Sequence, residues 1–350
     1  MAEVDPGKQM HPLALQIMNR WQGNFPLVEC PFVEIARQHE IEPHEVMEHY
    51  RDCLQSGVLS RIGAVFHQNA GGASTLAAIE VQADQLNRVA EQISSFAGVN
   101  HNYLREHRIN LWFVITAADD ISLQKAIHQL QILTDHEILT FPMLKSYRLN
   151  LAFDITRNLP NQTGSGGVEK GVPVVLAADT DLAALMEEGL PVVEKPFQIW
   201  ANEVNRSHEE VILTLKSWVG TGLVRRFGNV LRHHELGFTA NAMTVFQVPQ
   251  SEIEGAAQFL AAQPELTLLY QRRPHIKWPY NLYCMVHGRD RSQVEKVLER
   301  ICNQKPMNQY QHQILFSQQR LKQTGGSRFR LQAMVQKNVR HREADRVDAH

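Results

Sequence analysis

The chain reads as an α+β protein built as a tandem repeat of one unit, a winged helix-turn-helix followed by a ferredoxin-like βαββαβ domain. Three observations predict this. Residues 60–78 lie against residues 225–243 without a gap, so that Arg61 falls on Arg226, Gly63 on Gly228, Val65 on Val230, Gly72 on Gly237 and Ala77 on Ala242. A later pair of segments keeps the same order: Tyr103 matches Tyr270, Arg105 matches Arg272 and Asn110 matches Asn281. The spacing there widens from 167 to 171 residues, which places a four-residue insertion in a loop of the second copy. Within each copy, finally, helical punctuation gives way to strand alternation.

The first copy opens with three helices at about 12–21, 32–38 and 43–55. Pro43 suits a first helical position and Gly57 a C-terminal stop. Residues 59–66 read as a β wing. Strand 76–81, helix 83–96, strands 100–104 and 110–116, helix 122–133 and a closing strand 138–144 follow, the β-α-β-β-α-β order of a ferredoxin-like half. The second copy repeats the pattern, with helices near 181–187, 196–201 and 207–219 and a sheet domain over 225–316. The expected boundaries are winged helices at 1–60 and 179–224 and ferredoxin-like domains at 61–155 and 225–318. A Gly/Pro-rich linker at 156–178 and a mobile tail at 319–350 complete the division.

Composition narrows the partners. The 350 residues are 43% hydrophobic and 21% charged, ordinary for a globular protein. A net charge of −2 supplies no general field for nucleic acid, so any polyanionic ligand must be met by local clusters. Cys30, Cys53, Cys284 and Cys302 form no metal-ligand spacing and read as reduced, buried residues. The N-terminus carries no basic segment ahead of an apolar run, and no apolar stretch approaches a membrane span, so a cytoplasmic location is expected.

Basic and histidine residues gather where wing and sheet should meet. In the first copy these are Arg61, His67, His101, Tyr103, Arg105, His107 and Arg108. In the second they are Arg225, Arg226, Arg232, His233 and His234, then Arg272, Arg273, His275 and Lys277, with His287 beyond. Taken singly, each Arg reads as a solvated surface charge, and Tyr103 or Trp112 as a core aromatic. Recurrence at matched positions argues instead for a site that holds a polycarboxylate or phosphate, with Trp112, Trp278, Tyr280 and Tyr283 as flat apolar walls.

A helix-turn-helix ahead of a ferredoxin-like domain resembles the Lrp/AsnC family of transcription regulators. The recognition-helix positions here are acidic, with Glu42, Glu45, Glu48 and Asp52 in the first copy and Glu209 and Glu210 in the second. Such helices repel a phosphate backbone, so no DNA partner is expected.

The segments VNHNYLREHRINLWFV and RHHELGFTANAM, together with WPYNLYCMVHG, resemble motifs of the siroheme decarboxylases, Lrp/AsnC-like proteins recruited to enzymology. The two-copy arrangement is similar to the D–L fusion of haem d1 biosynthesis. The resemblance spans nearly the whole chain apart from linker and tail. It implies AsnC-type sheet domains and conversion of siroheme to 12,18-didecarboxysiroheme by loss of CO2 from two acetates, in haem d1 or alternative haem biosynthesis. It implies no cofactor beyond the substrate's own iron tetrapyrrole and no metal site. The implied partners are siroheme, its products, and either a further copy of the chain or a homologous decarboxylase subunit.

On that reading an imidazole donates the proton and guanidiniums hold the carboxylates. In the second copy His233 or His234 is the expected acid, Tyr270 the orienting group, and Arg226, Arg232, Arg272, Arg273, His275, Lys277 and Trp278 the substrate contacts. In the first copy His101 is the acid with Arg61, His67, Tyr103 and Arg105. His67 lies opposite Arg232 and Gln68 opposite His233, and this asymmetry favours the second-copy cluster. A tetrapyrrole- or amino-acid-responsive regulator and a carrier or sensor without chemistry are the alternatives.

Overall fold

The computed structural model describes residues 10–68, 70–149, 153–154, 159–160, 174–232, 234–334 and 336. The first helical triplet is α1 (Pro12–Arg20), α2 (Pro31–His39) and α3 (Pro43–Gln55). Proline occupies the first turn of all three, where its missing N–H costs nothing. The acids expected to repel DNA have a structural use as well. Glu42 and Glu45 close a reciprocal capping box on α3, the Glu42 N–H donating to Glu45 Oε2 at 2.9 Å.

The wing β1 (Leu59–Phe66) leads into β2 (Ala73–Ile79), α4 (Leu86–Ser95), β3 (Val99–Arg105), β4 (Leu111–Ala117), α5 (Asp120–Thr134), β5 (Leu139–Phe141) and β6 (Met143–Leu149). A two-residue ladder, β7 (Phe153–Asp154) with β8 (Leu159–Pro160), falls in the linker region, most of which lies outside the described residues. The second copy comprises α6 (Thr180–Glu188), α7 (Pro196–Glu203), α8 (His208–Gly220), β9 (Val224–Leu231), β10 (Ala240–Gln247), α9 (Ile253–Ala261), β11 (Leu266–Arg272), β12 (Leu282–Gly288), α10 (Arg291–Asn303) and β13 (Gln311–Gln323).

The copies are interlocked rather than strung out. Wings β1 and β9 pair antiparallel about Gly63 and Gly228, which face each other at the local two-fold. A Cβ on Gly228 would sit 2.3 Å from the Trp21 carbonyl oxygen, and one on Gly63 would sit 2.6 Å from that of Met186. Glycine recurs there because a helical unit of the opposite copy packs backbone against the wing. Both helical units and both wings consequently share one apolar core, from Ile17, Phe32 and Tyr50 to Phe197, Leu215 and Phe227.

The remaining strands form one sheet in the order β5-β2-β4-β3-β13-β10-β12-β11-β6. Its two ends, β5 and β6, are separated in the chain by Pro142 alone, so the sheet curls back on itself. Each copy's last strand begins beside its own first strand and finishes against the other copy: β6 pairs β11, and β13 pairs first β10 and then β3. Separate helix-on-sheet cores back each half, and a fourth core of Trp112, Phe141, Trp278, Tyr283 and Leu315 fills the space between.

Three expectations need correction. The closing strand placed at 138–144 is two strands, and its second part belongs to the neighbouring copy's edge. No boundary falls at 318, because β13 continues to Gln323, and residues 328–334 form a further helix, α11, with Phe329 and Ala333 buried. Lack of periodicity misled there, since α11 needs few apolar residues to anchor it. Cys53, Cys284 and Cys302 are buried, but Cys30 is only half-buried at the start of α2.

Candidate functional site

Strand alternation sets the site. His101, Tyr103 and Arg105 share one face of β3, while Asn102 points the other way and donates to the Ala90 carbonyl of α4. The His101 face is thus the interior one, which it shares with Trp112 across the Tyr103–Trp112 pair. Because β13 crosses over, Arg320 lies directly opposite Tyr103. A short turn of the second copy, His234–Leu236, closes the seam: Glu235 accepts from both Nη atoms of Arg320, at 2.6 and 3.1 Å.

Electrostatics in this seam are dominated by burial. It drives the His101 imidazole down to about 4, with the Arg61 charge adding to the effect. The His101 and Tyr103 rings stack with centroids 6.5 Å apart. His101 Nδ1 lies 2.7 Å from Asn100 Oδ1; an amide oxygen only accepts, so Nδ1 carries the hydrogen and Nε2 is left as the free position. Burial also raises the Tyr103 phenol, against the nearby Arg105 and Arg320.

Over this seam lie the wing arginines. Burial lowers Arg61, and it takes Arg226 to about 10 with the Arg61 charge contributing, so two like charges face one another in a poorly hydrated place. Each is anchored on carbonyls: Arg61 Nη2 donates to Ala64 at 3.3 Å and Arg226 Nη1 to Gln22 at 2.6 Å. The Nε atoms of both are buried and make no hydrogen bond among the described residues. Glu187, on α6, is the carboxylate beside Arg61; burial raises it to about 7, even against backbone N–H donors and two arginines. Cations therefore outnumber acids around the interior mouth.

The mirrored seam is blander. Repeat spacing puts Leu268 where β3 has His101, and strand register puts Ser146 where β13 has Arg320. Ala70 stands in place of Glu235. Tyr270 is present, raised to about 12 by burial with Arg272 and Arg225 nearby.

The structure regroups the expected residues. His101, Tyr103 and Arg61 come together, with Arg226 of the other copy beside Arg61, so sorting candidates by copy does not describe the site; His234, on the turn that carries Glu235, is exposed. His233 lies outside the described residues. Arg105 and Arg272 are structural braces. Arg105 Nη1 donates to the Leu315 carbonyl and Arg272 Nη1 to that of Phe141, both at 2.9 Å, and each guanidinium lies over a tyrosine ring, Tyr103 or Tyr270. Arg232 Nη1 bonds the Gly57 carbonyl at 3.4 Å. His67 is buried, and its carbonyl accepts from Arg328.

Arg273, His275 and Lys277 sit instead on the β11–β12 hairpin, beyond the Arg272 end of the strand. Arg273 and Lys277 are exposed, and Lys277 pairs with Glu137. Trp278 is buried between the sheets, edge-on to His107. The two hairpins thus meet at His107, beyond the end of β3 and away from His101. The inserted loop lengthens this hairpin, and sequence proximity to Arg272 misplaced its charges. Sequence reasoning missed Arg320, Glu235, Glu187 and Arg330. Only the TGGSRFR stretch carried a visible signal, its arginines having been read as part of a solvated tail.

The AsnC-like ligand binding domain model matches residues 69–148 and 235–322, and the siroheme decarboxylase NirDL-like HTH domain model matches residues 15–59. The siroheme decarboxylase NirDL subunit of Paracoccus denitrificans (strain Pd 1222) is 32% identical over 91% of this chain and 98% of its own. That of Paracoccus pantotrophus is 33% identical over 90% and 97%. Among solved structures, a siroheme decarboxylase NirDL in co-complex with an iron-uroporphyrin III analogue superposes with a TM-score of 0.67 at 24% identity, covering 94% of this chain and 98% of that one. The likeness in structure is one of fold and the likeness in sequence one of descent, and on the sequence the chain belongs to the siroheme decarboxylase family.

Proposed function

We propose that this chain decarboxylates siroheme, removing CO2 from the C12 and C18 acetate side chains to give 12,18-didecarboxysiroheme for haem d1 or alternative haem biosynthesis. The observation that carries the reading is the β3–β13 seam, where a half-buried imidazole and phenol lie beside a surplus of half-buried guanidinium. A macrocycle with many carboxylates supplies the missing negative charge. Loss of CO2 breaks the bond between the acetate methylene and its carboxyl carbon. The electron pair passes into the conjugated ring, and a proton at the same carbon completes a methyl group, with no net oxidation or reduction. No cofactor beyond the substrate's own iron tetrapyrrole enters this scheme.

His101 is the proposed proton donor. Held down to about 4 by burial, it is neutral near pH 7; carboxylates arriving beside it favour its charged form, so it takes up a proton at Nε2 and delivers it to the methylene carbon. Tyr103 orients the reacting acetate, while Arg61, Arg226 and Arg320 hold others. The scissile carboxylate itself belongs against the apolar wall, because an ion pair there would stabilise the ground state more than the transition state. Anaerobic incubation with siroheme, followed by mass spectrometry of the extracted tetrapyrrole, tests the proposal. Two successive losses of CO2 are expected. Siroheme that binds but returns unchanged would make the chain a carrier or sensor, and absence of binding would end the tetrapyrrole reading.

A further inference from the structure

The segment after β13 lies past residue 322, where the matched sheet-domain model ends, yet it is built into the molecule. The Thr324 N–H and Oγ1 donate to the Asn100 carbonyl, at 2.8 and 3.2 Å, directly beside His101. The chain then crosses Arg61 so closely that a Cβ on Gly325 would fall 2.4 Å from Arg61 Nη1. Glu187 next accepts the first backbone N–H groups of α11, those of Arg328, Phe329 and Arg330, at 3.1, 3.0 and 3.2 Å. Phe329 is wholly buried, its ring 4.6 Å from that of Phe66. Arg328 Nη1 reaches the Gln68 and Gly71 carbonyls, and Gln332 Nε2 donates to Ala118 at 2.7 Å.

Of the two arginines at the start of α11, these ties engage the guanidinium of Arg328 and leave that of Arg330. Arg330 is half-buried, its Nε is buried with no hydrogen-bond partner among the described residues, and its charge bears on Arg61. Glu187, the carboxylate that bears on both arginines, already gives both oxygens to backbone donors. Two guanidiniums near each other, each with a buried Nε unmatched among the described residues, are costly unless an anion lies between them. We propose that residues 324–334 form a strap that completes the substrate pocket, with Arg330 and Arg61 jointly clamping a peripheral carboxylate of the tetrapyrrole. This rests on the tetrapyrrole reading above and assigns a binding role to a part of the chain beyond the AsnC-like domains. Glu187 is the positioning residue that seats the strap.

The test is an optical titration of the full chain with iron-uroporphyrin III, for the native protein, Arg330→Gln, Arg330→Lys and the surface control Arg37→Gln. Loss of a charge-assisted pair predicts binding weaker by on the order of tenfold in Arg330→Gln. Arg330→Lys should fall between, and Arg37→Gln should match the native protein. Hydrogen exchange of the native chain supplies a second readout independent of any variant: amides of 324–334 should slow when iron-uroporphyrin III is bound. Native affinity in Arg330→Gln with unchanged exchange in the strap would overturn the proposal. Failure of the native chain itself to bind would instead bring down the tetrapyrrole reading beneath it.

Discussion

A single imidazole decides the chemistry at the residue scale. His101 titrates normally in the unfolded chain, near 6.5, and at about 4 in the fold, so the native state binds fewer protons between those values. Its contribution to stability is therefore present above about 6.5 and lost as pH falls through that window. Replacing His101 with Gln should flatten this acid-side loss in thermal melts at pH 6.5 and pH 4.5. In the same variant, decarboxylation should fall by on the order of a hundredfold or more, the usual worth of a positioned acid, while iron-uroporphyrin III still binds. Retained turnover would remove His101 from the proton path. Arg105 offers the opposite signature. Its Nη1 donates to the Leu315 carbonyl and its guanidinium lies over the Tyr103 ring, with burial holding it near 10, so Arg105→Gln should lower the melting temperature. A cost of about 1–3 kcal/mol, typical for a buried donor's partner left unmatched, is expected in denaturant titration, with KM little changed in the molecules that remain folded.

Elements were legible wherever their cause was local. Prolines in the first turns of the helices, the wing ahead of the sheet and the alternating strands all follow from short-range rules, and these elements appear close to their expected positions. The matched glycines were visible as a repeat, but their reason lies in the opposite copy: Gly228 packs on Trp21 and Gly63 on Met186. Gly228→Ala is accordingly expected to force the wing and α1 apart at a cost of about 1–3 kcal/mol, read from urea midpoints, since overpacking against backbone has no flexible side chain to yield. A control at Gly220, where nothing lies within 4 Å of the added carbon, should show no comparable loss. Strand exchange was not legible. Nothing in Met143–Leu149 or in the end of β13 announces that its partner belongs to the other copy, because pairing across a closed sheet is settled by the tertiary register. The residues that exchange delivers, Arg320 and the turn at Glu235, escaped sequence reasoning for that reason.

At the scale of the whole molecule, a repeated architecture carries an unrepeated site. The two-fold relating the wings brings Leu268, Ser146 and Ala70 to the second seam, in place of His101, Arg320 and Glu235. A seam without an imidazole on its strand or a cation opposite its tyrosine lacks both the acid and one clamp of the proposed reaction. One competent seam facing two acetates has a kinetic consequence: after the first CO2 leaves, the macrocycle must turn to present its second acetate, and it cannot do so while its carboxylates are clamped. The monodecarboxylated species should therefore leave and rebind. With siroheme in large excess, it should accumulate free in solution before the doubly decarboxylated product appears, and Tyr103→Phe should slow both steps while Tyr270→Phe slows neither strongly. Mass spectrometry of protein-free filtrates across the first turnovers reads this directly. Product that emerges doubly decarboxylated from the start, with equal losses in the two tyrosine variants, would mean that the pseudo-symmetric seams both work.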